Sequence, residues 1–321
     1  MIFIFVITHQ KSIMNYDLVI IGGGPAGVGA GVYASRKHLK TVLITNEWGG
    51  QSTVSDDIQN WIGTISLSGA ELATKLKEHL SAYAEDIVTI VEGECVERVE
   101  KVDGGFKVKT NKGNEFNSKT VFIGSGAHRK KLEVPGAAEF DQKGLTYCAS
   151  CDGLLFKDMD VVVIGGGNAG FETAAQLLAY TKSVTLLNRG PEFKADPVTV
   201  KKVLENPKMK AILNAVTLEI KGDKFVTGLT YKDKDSEEKH ELVAKGIFVE
   251  IGLVPTTGFV KDLVKLDDYG RIEIDPRNQK TSVEGVWAAG DSTNELYHQN
   301  NIAAGDAVKA LEDIYNHLRA R

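Results

Sequence analysis

Two glycine-rich turns, each set between a short β-branched run and a helix-forming stretch, constrain this chain more than any other feature. The first is Gly22-Gly-Gly24-Pro25-Ala26-Gly27, which follows Asp-Leu-Val-Ile-Ile at residues 17–21. The second is Gly165-Gly-Gly167-Asn168-Ala169-Gly170, which follows Asp-Val-Val-Val-Ile at residues 160–164. A lone Gly-x-Gly-x-x-Gly is weak evidence; two copies, each between a strand and a helix, are an internal duplication. The first glycine permits the turn, the second lets a pyrophosphate approach the backbone, and the third lets the helix pack close to the strand. Pro25 suits a first helical turn, where its missing N–H costs nothing. The helix start then offers free N–H groups and the positive dipole end to phosphate. The expected fold is α/β, with two Rossmann-like three-layer nucleotide-binding domains, the second inserted into the first.

At 321 residues the chain exceeds what one hydrophobic core usually serves. Residues 14–127 and 257–321 are expected to form the first domain and residues 128–256 the second. The charged, Pro-containing connection from His128 to Gly136 and the segment 252–257 are the crossings between them. Residues 1–13 read as an N-terminal extension. Their apolar start is far shorter than the roughly 20 residues a membrane helix needs, and it lacks a basic leader and a cleavage site. A cytoplasmic address follows by default. The net charge of −5 offers no basic surface for a phosphate backbone, so nucleic acid is not an expected partner.

The chemistry centres on Cys148-Ala-Ser-Cys151-Asp152, just ahead of the second turn. Three cysteines cannot build a disulfide framework, and a single CxxC is the pattern of a working dithiol. The spacing brings both sulfurs to one point, in an environment that lowers a thiol pKa from about 8.5 towards neutrality. Half of a zinc site is the alternative, but no second Cys/His pair stands at ligand spacing, so no metal is expected. Asp152 reads as an acid/base or, equally, as a cap on the following turn. Cys95 lies in an alternating stretch and reads as packing. Glu47 stands near the end of the second strand, where a ribose-binding carboxylate belongs. The corresponding place in the second unit holds Asn188 and Arg189, with Lys194 close behind. A neutral residue flanked by cations suits a 2′-phosphate, which favours NADPH over NADH.

In combination these motifs resemble the low-molecular-weight thioredoxin reductases, a group of FAD-dependent pyridine nucleotide-disulfide oxidoreductases, from about Met14 to the C-terminus. The resemblance rests on both glycine turns, Gly49-Gly50-Gln51, the CASCD segment, Ala288-Ala-Gly290-Asp291 and Tyr297-His298-Gln299. Residues 189–196 and 244–252 are also similar to the flavoprotein of alkyl hydroperoxide reductase, whose extra N-terminal domains this chain has no room for. The resemblance implies FAD on the first turn, with Glu47, Gly50, Gln51, Asn60, Gly290, Asp291, His298 and Gln299 around it. It implies NADPH or NADH on the second turn, with Glu172, Asn188, Arg189 and Lys194. Cys151 would be the flavin-facing thiolate, Cys148 the thiol that attacks the partner, and Asp152 the manager of their protons. A homodimer, a swinging inserted domain, and thioredoxin or a thioredoxin-like protein as partner are further implications. Two departures stand out: His298 occupies a place usual for arginine, and Gly190 replaces the second of a pair of arginines. The alternatives are an NADH-dependent reductase feeding a peroxiredoxin or glutaredoxin-like partner, and a flavin-binding redox sensor without turnover.

Overall fold

The computed structural model describes residues 15–55, 58–147 and 149–320. The expected extension over residues 1–13 and the expected nucleophile Cys148 lie outside the described residues, and Cys151 is described by its backbone alone.

Alternation within two buried strands organises the molecule. In Asn15–Gly23, Leu18 and Ile20 pack on one side with the helices Pro25–Arg36, Gly69–Ala84 and Asn300–Arg319. Val19 and Ile21 pack on the other side with Val99, Phe106 and Val108 of the hairpin Val96–Val102/Gly105–Thr110. In Asp160–Ile164, Val161 and Val163 meet Phe171 and Leu177 of the helix Asn168–Leu178. Val162 and Ile164 meet Ile220, Val226 and Leu229 of a three-stranded antiparallel sheet. Each of these strand side chains stabilises the fold by about 1.5–3 kcal/mol relative to exposure. A strand with no polar face must be covered on both sides, and the result is helices, parallel sheet and antiparallel layer, built twice.

The larger sheet runs Ile274–Asp275, Lys280–Thr281, Val286–Ala288, Glu115–Ile123, Asn15–Gly23, Thr41–Trp48, Val88–Glu92. The last five of these strands are parallel. The smaller sheet, parallel throughout, runs Met209–Ile212, Ser183–Leu187, Asp160–Ile164, Gly246–Val249, Leu145–Thr146. The outgoing crossing is the strand Ala127–Arg129 and the return is Leu253–Pro255, paired antiparallel to each other. The second unit is thus inserted between strands of the first.

Some local expectations change. Val88–Glu92 reads in sequence as part of a hairpin-rich insert, yet it lies parallel to Thr41–Trp48 in the main sheet. The first crossing begins as a strand, which local periodicity does not reveal because its partner Leu253–Pro255 arrives more than a hundred residues later. The helix Pro197–Leu204 is capped by Asp196, whose Oδ1 accepts from the Thr199 N–H at 2.9 Å, and carries no long apolar stripe to announce it. Among the described residues no helix is long and apolar enough to cross a membrane.

Candidate active site: two nucleotide cradles and a dithiol segment

In the first turn the outer glycines are required by packing. A Cβ on Gly27 would lie 1.8 Å from the Gly22 carbonyl oxygen. Gly24 differs: a Cβ there would meet nothing nearer than the Gly49 oxygen at 4.0 Å, so the protein itself does not demand a bare backbone. The helix that Gly24 opens has Pro25 at its start and no side-chain cap. Helices that serve the scaffold are treated otherwise, since Gly69–Ala84 carries a full Ser68/Glu71 capping box. Uncapped N–H groups beside a bare glycine fit a pyrophosphate.

This turn forms one wall of a cleft of about 300 Å³, also lined by Glu47, Gly50, Gln51, Gly290 and Asp291. Pro25, Ala26 and the first residues of the Asn300–Arg319 helix, also uncapped, border it. Burial pushes the Asp291 carboxyl up from its ordinary value while nearby His298 draws it down. His298 is half-buried, and its Nε2 is buried without a hydrogen-bond partner among the described residues. Asn60, His298 and Gln299 do not line the cleft. They gather at the start of the last helix, where Asn60 Nδ2 donates to Gln299 Oε1 at 3.1 Å and Asn301 Nδ2 donates to the Asn60 carbonyl at 2.6 Å.

The second turn repeats the plan in the open. A Cβ on Gly170 would lie 1.9 Å from the Gly165 oxygen, while one on Gly167 would meet nothing within 4 Å. The helix Asn168–Leu178 again lacks a side-chain cap. Asn168 accepts at Oδ1 from the Asp196 N–H (2.8 Å), and the Lys194 N–H donates to the Gly166 carbonyl (2.8 Å), so Lys194 starts beside the turn. Asn188 is buried, and its amide donates to the carbonyls of Gly190 and Glu192 at 3.0 and 2.8 Å. It shapes the loop that displays Arg189. Arg189, Lys194, Ala169 and Glu172 are exposed.

The short helix Ala149–Asp152 follows Leu145–Thr146, the edge strand of the second sheet. Because that sheet is parallel, the segment emerges at the same edge as the second glycine turn. Ala149 is buried against the Phe171 and Leu177 cluster, and a Cβ on Gly153 would collide with the Tyr180 hydroxyl at 2.1 Å. The segment is therefore seated on the second unit. Asp152 does not cap the following turn; its Oδ2 accepts the Thr146 hydroxyl.

Several site residues escape a reading of the sequence. Cys95 is a correction: it is exposed and lines the first cleft, because Asn111 Oδ1 accepts its N–H at 3.0 Å and holds it in a bend between strands. Buried Glu94 beside it accepts from Thr110 Oγ1 at 2.7 Å and Asn114 Nδ2 at 2.9 Å. The cleft also takes Ser125, His128 and Thr256 from the two crossings. Ser125 Oγ donates to the Thr256 carbonyl at 2.7 Å, and His128 Nδ1 lies 3.3 Å from Thr256 Oγ1. The signal is Gly124-Ser-Gly126 at a strand end, but the pairing with residue 256 is invisible in sequence.

Comparison with known proteins agrees with this geometry. The profile of the pyridine nucleotide-disulphide oxidoreductases matches residues 16–307, and the chain belongs to that family. Within the family its structure is thioredoxin reductase-like. It matches the crystal structure of T. acidophilum thioredoxin reductase at 38% identity with a TM-score of 0.79, covering 94% of this chain and 98% of that one. Among curated relatives, an alkyl hydroperoxide reductase component of Pseudomonas putida is 40% identical over 305 residues, and an NADH dehydrogenase of Bacillus subtilis (strain 168) is 38% identical over 303. Each match covers 94% of this chain and 58% of the relative, so the chain spans somewhat over half the length of those proteins.

Proposed function

We propose that the protein is a flavoprotein disulfide reductase, passing electrons from NAD(P)H through FAD and the Cys148–Cys151 dithiol to thioredoxin or a thioredoxin-like protein. The observation that carries this reading is the shared edge. The Ala149–Asp152 helix, which follows Leu145–Thr146, and the second glycine turn lie past the carboxyl ends of strands in one parallel sheet, while the cleft is lined mainly by the other unit. Residues 14–127 and 257–321 are taken as the FAD-binding domain and residues 128–256 as the NAD(P)H-binding domain.

The first cleft fits a resident dinucleotide, with Gly24 and the uncapped helix for the pyrophosphate, Glu47 for a ribose and Asp291 towards the ribityl chain. FAD bound there supplies the two-electron relay between nicotinamide and disulfide. The chain's own residues do the rest. Gly167 and the helix start behind it take the pyrophosphate of the second nucleotide, and Arg189 with Lys194 takes a 2′-phosphate. Asp152, oriented by Thr146, holds or returns the proton of the thiol pair. The two crossings, tied at Ser125, His128 and Thr256, are the pivot for bringing the dithiol segment to the flavin.

Likeness along 98% of a thioredoxin reductase chain supports thioredoxin as acceptor, and Asn188 flanked by Arg189 and Lys194 supports NADPH. The likeness to the alkyl hydroperoxide reductase component supports a second reading, NADH-driven reduction of a peroxiredoxin or glutaredoxin-like partner. Disulfide reduction assayed with each acceptor and each nucleotide separates the two. The first reading expects turnover with NADPH and thioredoxin; turnover confined to NADH and the other acceptors contradicts it.

A further inference from the structure

Glu250 is a largely buried acid that neither the first cleft nor the dithiol uses. It follows directly on the strand Gly246–Val249, and its N–H donates to the Ile164 carbonyl at 2.8 Å. Its own carbonyl oxygen lies where a Cβ on Gly165 would be, 2.0 Å away, so residue 250 abuts the second glycine turn. The side chain is 10% exposed. Oε1 accepts from Arg129 Nη1 at 3.1 Å and Thr173 Oγ1 at 3.0 Å, whereas among the described residues Oε2 has only a 3.4 Å contact with Arg129. Burial pushes this carboxyl up from its ordinary value, Arg129 and Thr173 oppose that, and the charge of Glu172 adds to it. A carboxylate with one oxygen so weakly served is costly here, and a neutral side chain would fill the same slot more cheaply.

Topology says what that oxygen faces. In the sheet order the Gly246–Val249 strand lies between Asp160–Ile164, which carries the turn, and Leu145–Thr146, which leads into the Ala149–Asp152 helix. The strand on the other side of the turn, Ser183–Leu187, ends at Asn188 and Arg189, where the adenosine ribose of a Rossmann ligand is read. With the pyrophosphate on the turn, the other half of the nucleotide must run over the end of Gly246–Val249, towards the dithiol. The reversal of strand order at this point is also where open α/β sheets bind their ligands.

We propose that Glu250, held by Arg129 and Thr173, is the residue that positions the nicotinamide half of the bound nucleotide by accepting from its carboxamide N–H. An ionised carboxylate only accepts, and a primary carboxamide offers two donors. The inference rests on reading the second turn as the pyridine nucleotide cradle.

Calorimetric titration of the flavin-loaded protein with NADP+, NAD+, ADP-ribose and 2′-phospho-ADP-ribose tests it without turnover. Glu250→Ala is expected to weaken both nicotinamide nucleotides about tenfold or more. Glu250→Gln, which keeps the volume and a neutral acceptor, is expected to weaken them about threefold. Both variants are expected to leave the two truncated ligands within about twofold of the parent. Should Glu250→Ala fail to fold, the glutamine variant carries the same contrast. Equal weakening of whole and truncated ligands would reduce Glu250 to a brace for the turn and overturn the proposal, as would no change in any affinity. A parent protein that bound none of the four would overturn the cradle reading and this inference with it.

Discussion

The two glycine turns share a sequence plan, a strand–turn–helix geometry and an uncapped helix, yet they present their ligands differently. The first lies in a cleft. The turn at 49–51, the crossings and the end of Val286–Ala288 close around it, and Asp291 is buried deeply enough for its carboxyl to be pushed up. The second lies open, with Arg189 and Lys194 in solvent and Gly167 facing empty space. A cleft suits a cofactor that stays through many turnovers, and an open surface suits a nucleotide that must arrive and leave in each one. Duplication supplied one cradle twice, and the two copies differ in what surrounds them.

The largest expected effect breaks the two cradles separately. Gly27→Ala forces a Cβ to 1.8 Å from a carbonyl and should release flavin, weakening its binding at least about 100-fold, a cost of roughly 3 kcal/mol. Gly170→Ala imposes the same collision at 1.9 Å, and should leave the protein yellow while weakening NAD(P)H by a similar factor. Flavin content by absorbance and nucleotide titration check both; loss of flavin in the second variant would mean that the cradles are not independent.

Next in size is Asp152→Asn, expected to lower disulfide turnover about 100-fold while flavin content stays unchanged. Unaltered turnover across the pH profile would return Asp152 to a structural role. Smaller still, Arg189→Ala should weaken NADPH about tenfold and NADH hardly at all, since one phosphate contact is lost. Equal effects on both would leave Arg189 as a general surface charge.

The smallest concerns the first cleft's wall. The Thr110 hydroxyl, followed by the Asn114 amide, holds the Glu94 carboxyl below the ordinary glutamate value of 4.5. A depressed folded-state value contributes stability above the unfolded pKa and loses it as pH falls through the folded one. Glu94→Gln should therefore cost about 1 kcal/mol at neutral pH, the gap closing in acid below the ordinary glutamate value. Thermal unfolding of both proteins across that range measures it.

What can be read from sequence follows from what is local. The glycine turns are legible because a collision with the carbonyl five residues earlier forces glycine at Gly27 and Gly170, and a positive φ favours it at Gly22 and Gly165. The layered fold is legible because β-branched runs such as residues 160–164 have no polar face. Asn60, His298 and Gln299 enter through resemblance alone, and they cluster beside the cleft rather than lining it. Glu250 is illegible, since its partners Arg129 and Thr173 lie 121 and 77 residues away. Cys95 misleads because its alternating neighbours suggest a strand interior, while the Asn111 side chain holds it in an exposed bend.

The central claim is one route for electrons, from nucleotide through flavin to the dithiol. Anaerobic mixing of the Cys148→Ser protein with NADPH and with NADH, followed by disulfide turnover with a thioredoxin, tests it most directly. The account predicts that flavin absorbance still bleaches while disulfide turnover disappears. Sustained turnover in that variant, or a purified protein that carries no flavin to bleach, would contradict it.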